Sequence, residues 1–108
     1  IIDHRVPRCE HCGGVMKPSV ILFGDTLPQS ALDGAFHAAQ RADVMLIVGS
    51  SLEVAPANDL PRIALENGAA LIIVNLQPTH LDRKARVTLH ADAAVVLPAI
   101  ADRIEKFA

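Results

Sequence analysis

Asp43-Val44-Met45-Leu46-Ile47-Val48-Gly49-Ser50-Ser51 is the stretch that decides the fold. A continuous apolar run of this length, stopped by glycine, predicts a strand buried on both faces. Leu71-Ile72-Ile73-Val74, ended by Asn75, predicts a second strand of the same kind, and residues 86–90 a third. Between the first two strands, Leu60, Ile63 and Ala64 share one helical face. Asn58 is the expected N-cap, Pro61 sits in the first turn, and Asn67-Gly68 forms the stop. Upstream, Leu32, Ala35, Phe36 and Ala39 recur at helical spacing, with Ser30 as expected N-cap and Asp33 three residues on. Downstream, a helix runs from Asp92 or Pro98 to Phe107, with Pro98 kinking or starting it. Residues 19–23 (Ser-Val-Ile-Leu-Phe) predict a further short strand, broken by Gly24-Asp25-Thr26-Leu27-Pro28. Alternation of apolar strands and helices predicts an α/β fold, a parallel sheet with helices on both faces.

In such sheets, ligands bind outside the carboxyl ends of the strands. Three segments leave those ends here: Gly49-Ser50-Ser51, Asn75-Leu76-Gln77 and Ala91-Asp92-Ala93. Gly49 admits a close ligand, and two serine hydroxyls follow it. The pattern is not the Gly-x-Gly-x-x-Gly fingerprint, and an ordinary strand-to-helix turn reads the same way. Asn75 stands where dinucleotide folds often put a ribose-binding carboxylate; its amide can donate and accept. A turn-forming asparagine is the plain alternative.

Residues 1–18 are rich in Pro, His and Cys and carry no periodicity, which predicts a loop-built module ahead of the α/β part at 19–108. Cys9-Glu10-His11-Cys12 is a two-cysteine motif with two-residue spacing, followed by Gly13-Gly14. Two cysteines make no disulfide framework; the spacing fits a metal pair or a redox pair. A redox pair needs a helix after it, which Gly13-Gly14 opposes. Tetrahedral zinc needs four ligands, so Cys9 and Cys12 are half a site, with His4 and His11 as conceivable substitutes. His37, His80 and His90 show no catalytic spacing, and no Ser/His/Asp or paired-carboxylate set is assignable.

The chain has 108 residues, 10 Lys+Arg against 12 Asp+Glu, and a formal charge of −2, which excludes a strongly basic nucleic-acid binder. Hydrophobic residues at 51% and charged residues at 20% mark a globular composition. Apolar runs of about six residues fall far short of a membrane span. The start, Ile1-Ile2-Asp3-His4-Arg5, shows no secretory signal and no initiator Met. The expectation is therefore a cytoplasmic chain that begins inside a longer protein.

Taken in order, Cys9-x-x-Cys12-Gly13-Gly14, Lys17-Pro18, Phe23-Gly24-Asp25, Leu27-Pro28, Gly49-Ser50-Ser51-Leu52-x-Val54-x-Pro56, Asn75 and Leu97-Pro98 resemble the sirtuins, the NAD-dependent protein deacylases. The resemblance implies the C-terminal portion of a Rossmann-like NAD-binding domain with half of a zinc-ribbon module. It implies NAD contacts at Gly49, Ser50, Ser51, Asn75, Leu76, Gln77 and Ala93. Ser50 keeps the hydroxyl of the usual Thr, and Gln77 stands where many relatives have Glu. An acyl-lysine peptide is implied as an added strand between Phe23-Gly24-Asp25 and Leu52-Glu53-Val54, its modified side chain in a tunnel lined by Ile21, Phe23 and Val54. Asp25 is shorter than the usual Glu. Cys9 and Cys12 are implied ligands of a structural Zn2+.

The reaction implied is removal of an acyl group from lysine, releasing nicotinamide and O-acyl-ADP-ribose, with a His base acting on the ribose. The family's Gly-rich NAD loop, Asp-Phe-Arg segment, His-Gly pair and first Cys pair have no counterpart here, so no catalytic residue is assigned. The expected partners are an acylated-lysine protein or peptide, the missing N-terminal half of the domain, and other copies through an exposed sheet edge. A non-catalytic nucleotide-binding or interaction module, and an NAD hydrolase of related fold, remain as alternatives.

Overall fold

A computed structural model describes residues 6–22 and 24–107, excepting the Phe107 side chain. In chain order the elements are α1 (Gln29–Arg41), β1 (Val44–Val48), a 3₁₀ turn (Ala57–Asp59), α2 (Leu60–Glu66), β2 (Ala70–Val74), a second 3₁₀ turn (Asp82–Lys84), β3 (Val87–Leu89) and α3 (Ala93–Phe107). The three strands form one parallel sheet in the order β1-β2-β3, with Val48 opposite Val74 and Val74 opposite Leu89.

The helical face expected of α1 is the one that packs. Ala39 is buried, Leu32, Ala35 and Phe36 are half-buried, and most of the other α1 residues are exposed. Its start differs from the expected Ser30 cap. Pro28 occupies the cap position, and its carbonyl accepts from the Ala31 and Leu32 amides at 3.0 and 3.1 Å. Proline's restricted φ prepares the first turn, which places the cap two residues before the serine.

The start of α2 is also shifted. A 3₁₀ turn precedes it, so Asp59 rather than Asn58 is the cap, while Pro61 does lie in the first turn. Exposed Arg62 bridges Asp59 at 3.3 Å and Glu66 at 2.8 Å, contacts that solvent screening leaves weak. The stop is as expected. The Asn67 amide and side chain both donate to the Ile63 carbonyl, and Gly68 follows at φ +92°. A Cβ at Gly68 would meet nothing within 4 Å, so only backbone strain opposes a side chain there. Gly68→Ala is expected to cost about 1–2 kcal/mol in urea unfolding with no change in slope.

Helix α2 packs on β1 and β2, and α1 packs on α2. Ile47, Leu71 and Ile73 point into this layer and meet Ala39, Leu52, Ala64, Ala69 and Leu81. The opposite face differs from the expectation of strands buried on both sides. On that face central Val74 alone is fully buried and Ile72 is half-buried, whereas Val44 is 55% exposed, Leu46 49%, and Val87 and Leu89 are open as well. Side chains alternate across a strand, and among the described residues two helices cover one face, whereas no described residue of α3 is buried.

No strand forms at 19–22, and Phe23 lies outside the described residues. Val20, Ile21 and Leu22 are exposed, with no neighbouring strand to supply a ladder. Apolar β-formers become a strand only when another strand satisfies their backbone. The radius of gyration is 18.5 Å, against about 13 Å for a compact domain of this length. The N-terminal arm accounts for the excess: its described residues through Ala31 are exposed apart from half-buried Cys9.

Candidate functional site

The parallel register brings three strand ends to one edge. The Gly49 amide donates to the Val74 carbonyl at 2.9 Å, and the Asn75 amide to the Leu89 carbonyl at 3.1 Å. Gly49, Asn75 and the residue after Leu89 therefore leave the sheet side by side. Gly49 turns the chain at φ +59°. Ser50 Oγ accepts from the Leu52 amide at 3.2 Å, which leaves the hydroxyl hydrogen free to donate outward. Leu52 holds φ +60° with its side chain only 6% exposed, so burial fixes a conformation that a leucine rarely adopts. Ser51 is exposed between them.

At the second strand end, Asn75 Nδ2 donates to the Gln77 carbonyl at 2.7 Å, which closes the Asn75-Leu76-Gln77 loop. Its Oδ1 stays available as an acceptor. Leu76 and Gln77 are exposed. At the third, Asp92 caps α3 by accepting from the Ala94 amide at 2.8 Å, and Ala93 is the first helical residue. Thus α3 starts just after the Asp92 cap, not at Pro98, which lies inside the helix.

A cavity of ≈ 560 Å³ lies between the arm and the segment after Gly49. Ile21, Gly24, Asp25 and Val54, all expected to contact a peptide, line it together with Leu27 and Ala55. Gly24 stands at φ +94°, and Asp25 Oδ2 accepts from the Leu22 amide at 3.1 Å, making a tight turn at the mouth. Leu52 is part of the core rather than the lining, and Glu53 is exposed outside it.

Cys9 and Cys12 sit on a hairpin held by Cys9 N–H to Gly14 O and Gly13 N–H to Cys9 O, both 2.8 Å, with Arg8 bridged to Val15. The Cys12 amide, then the His11 amide and the Cys12 thiol, hold the Cys9 thiol below its usual value. This favours a thiolate, the form that binds metal. The described residues contain no group of three or more metal-ligating side chains, so any site at this pair needs further ligands from elsewhere. His4 lies outside the described residues, and no helix among them is long and apolar enough to cross a membrane.

One cluster at this edge is not legible by spacing. His90 Nε2 lies 3.2 Å from Asp82 Oδ2, and Asp82 Oδ1 accepts from the Thr79 hydroxyl at 2.6 Å and its amide at 3.1 Å. β3 separates the two partners, so no periodicity links them; only the Thr79-x-x-Asp82 turn hints at it. The Thr79 hydroxyl first, then its amide and His90, hold the Asp82 carboxyl below the ordinary range against partial burial. A depressed folded value means stability that is present above the unfolded carboxylate value of about 3.9 and lost as pH falls through the folded one. Asp82→Asn is therefore expected to give a shallower acid limb in urea unfolding between pH 2.5 and 5, with the profiles parallel above it.

A three-stranded parallel sheet with helices, its carboxyl edge marked by Gly-Ser-Ser, Asn-Leu-Gln and a helix start, is part of a Rossmann-like fold. The profile of the Sir2 family matches residues 1–56. The NAD-dependent protein deacetylase 1 of Geobacillus kaustophilus is 54% identical over 87 residues, covering 81% of this chain and 36% of that protein. A Sir2 with a p53 peptide and NAD+ superposes at TM-score 0.78 and 37% identity, over 91% of this chain and 41% of that one. A Sir2 bound to an acetylated peptide does so at 0.79, also 37% identical over 91% and 41%. The chain belongs to the Sir2 family, and it spans about two-fifths of the length of these relatives.

Proposed function

We propose that these 108 residues supply one portion of an NAD-dependent protein-lysine deacylase: part of the NAD crevice, one wall of the acyl-peptide cleft and half of a structural zinc module. The observation that carries the reading is the alignment of three strand ends by the parallel register. It sets Gly49-Ser50-Ser51 beside Asn75-Leu76-Gln77 and Ala93 without help from any other chain. NAD supplies a ribose carbon made electrophilic by its nicotinamide leaving group. In this chain, Ser50 and Ser51 offer hydroxyls toward phosphate or ribose, and Gly49 keeps the approach clear. Asn75 offers its free Oδ1 and remaining N–H to a ribose diol, while Leu76, Gln77 and the backbone of Ala93 border the adenosine side.

The acylated lysine enters the cavity between Ile21, Gly24 and Asp25 on one side and Val54 on the other; Phe23, also expected to contact it, lies outside the described residues. The peptide main chain adds as a strand between that wall and Leu52-Glu53-Val54, so pairing holds any sequence while the apolar tunnel reads the modified side chain. The Sir2 relative with an acetylated peptide supports this substrate class. Cys9 and Cys12 hold half of the Zn2+ site at 1–18, supported by the amides directed at the Cys9 sulfur. The free Cys9 and Cys12 suit a reducing cytoplasm. The exposed apolar sheet face is where the rest of the domain packs, completing helices on both faces; left open, it favours association of copies.

Amide NMR during NAD addition tests the reading. Shifts are expected at Gly49, Ser50, Ser51, Asn75 and Ala93, with weak affinity, because these residues supply only part of the phosphate contacts. Shifts confined to the helix-covered face of the sheet would refute the carboxyl-edge crevice.

A further inference from the structure

His90 follows the last residue of β3 and reaches back over the sheet edge. Its Nδ1 lies 3.2 Å from the Asn75 carbonyl oxygen, and its Nε2 3.2 Å from Asp82 Oδ2. Both partners are acceptors, so the imidazolium donates to both at once and a neutral ring to only one. Asp82 is anchored in turn. Thr79 donates twice to its other oxygen, the Thr79 hydroxyl accepts from the Leu81 amide at 3.3 Å, and Leu81 is buried in the core.

The consequence falls on Asn75. Strand pairing ends at Val74 and Leu89. One residue on, the Asn75 amide still donates to the Leu89 carbonyl, and the Asn75 carbonyl is held by the His90 ring. Both backbone groups of Asn75 are therefore satisfied from the β3 side, one by the main chain and one by the imidazole. The Asn75 side chain then fixes the carbonyl two residues later, at Gln77. The exposed His90–Asp82 contact, an ion pair only when the ring is protonated, adds little to global stability. What this one adds is local: it sets the peptide plane from which the Asn75–Gln77 loop departs.

We propose that His90, oriented by Asp82 and Thr79, is a positioning residue for the nucleotide loop Asn75–Gln77. It acts through the Asn75 carbonyl and touches no nucleotide itself. The inference rests on the reading of the strand ends as an NAD crevice, and it adds a residue that the motif order did not single out.

The test uses the 108-residue chain as wild type, His90→Phe, Asp82→Asn and His90→Gln. Three quantities are measured: hydrogen exchange at single amides, urea unfolding, and NAD affinity by NMR. His90→Phe keeps a ring of similar size and removes both donors. Exchange at the Asn75 amide is expected to speed up about tenfold, and the NAD dissociation constant to rise about tenfold, the equivalent of about 1.4 kcal/mol. The Ala70 amide, bonded to Asp43 at the other end of β2, is the internal control and stays unchanged, as does the unfolding midpoint. Asp82→Asn gives the same changes in Asn75 exchange and NAD affinity at smaller amplitude, its midpoint falling only by the stability that the depressed carboxyl contributes, and His90→Gln, which keeps an N–H donor, recovers part of the affinity. Faster exchange at Ala70 in step with Asn75 overturns the proposal, because the role is then global stability. Unchanged NAD affinity in His90→Phe and Asp82→Asn overturns it while the nucleotide reading stands. Failure of the wild type to bind NAD overturns both, even if the Asn75 exchange responds.

Discussion

Leu71→Ala is expected to remove most of the stability of the domain. Leu71 is fully buried on the central strand, packed in the single layer between the sheet and the two helices. Truncating such a leucine costs about 2–5 kcal/mol, from lost transfer energy and the cavity left behind. A domain of this length carries roughly 5–15 kcal/mol in total, and an apolar sheet face open to water places this one low in that range. Urea unfolding should show either a midpoint lowered by more than half or no cooperative transition. Val44→Ala, on the open face of β1, is the matched control, expected within about 0.5 kcal/mol of wild type. Equal losses for the two substitutions would mean that the open face is covered in solution, and the one-sided core would be wrong.

This asymmetry separates what the sequence discloses from what it does not. β1, β2 and β3 are legible because each is an apolar run stopped by a residue with turn chemistry, and their parallel order follows from the helices between them. The strand ends, and hence the alignment of Gly49, Asn75 and the residue after Leu89, come with that order. Burial on both faces is not legible, because an apolar run reports that a strand is suited to a covered sheet, not that these residues provide the cover. Val20, Ile21 and Leu22 show the same limit: their propensity is for a strand, and among the described residues no ladder is offered to them. The caps at Ser30 and Asn58 fail for a local reason, since Pro28 and the 3₁₀ turn at Ala57–Asp59 each start the helix elsewhere. The Thr79–Asp82–His90 cluster is tertiary. Its members meet only because β3 runs beside β2, so nothing in their spacing marks them.

The largest functional effect expected is on turnover. None of the five histidines precedes a glycine: they are followed by Arg5, Cys12, Ala38, Leu81 and Ala91. Among the described residues no histidine lines the cavity, which agrees with the proposal that the base acting on the ribose is supplied by another part of a Sir2 domain. General-base catalysis is worth about 10² to 10⁴, and an incomplete clamp on NAD loses orientation as well. The chain alone is therefore expected to give no nicotinamide above background. Adding the remainder of a Sir2 domain as a second chain covers the open sheet face, completes the crevice and supplies the base, so all three defects are repaired in one step. In that mixture Asn75→Ala should act mainly on the KM for NAD, and Val54→Ala on the use of peptide.

Nicotinamide release from NAD with an acetylated lysine peptide, measured for this chain, for the complementary part of the domain and for the two together, tests the central claim most directly. The account predicts release by the mixture alone, dependent on the acetyl group and weakened by Asn75→Ala. Turnover by this chain without the other part, or a mixture that turns over equally well after Asn75→Ala and Val54→Ala, would contradict it.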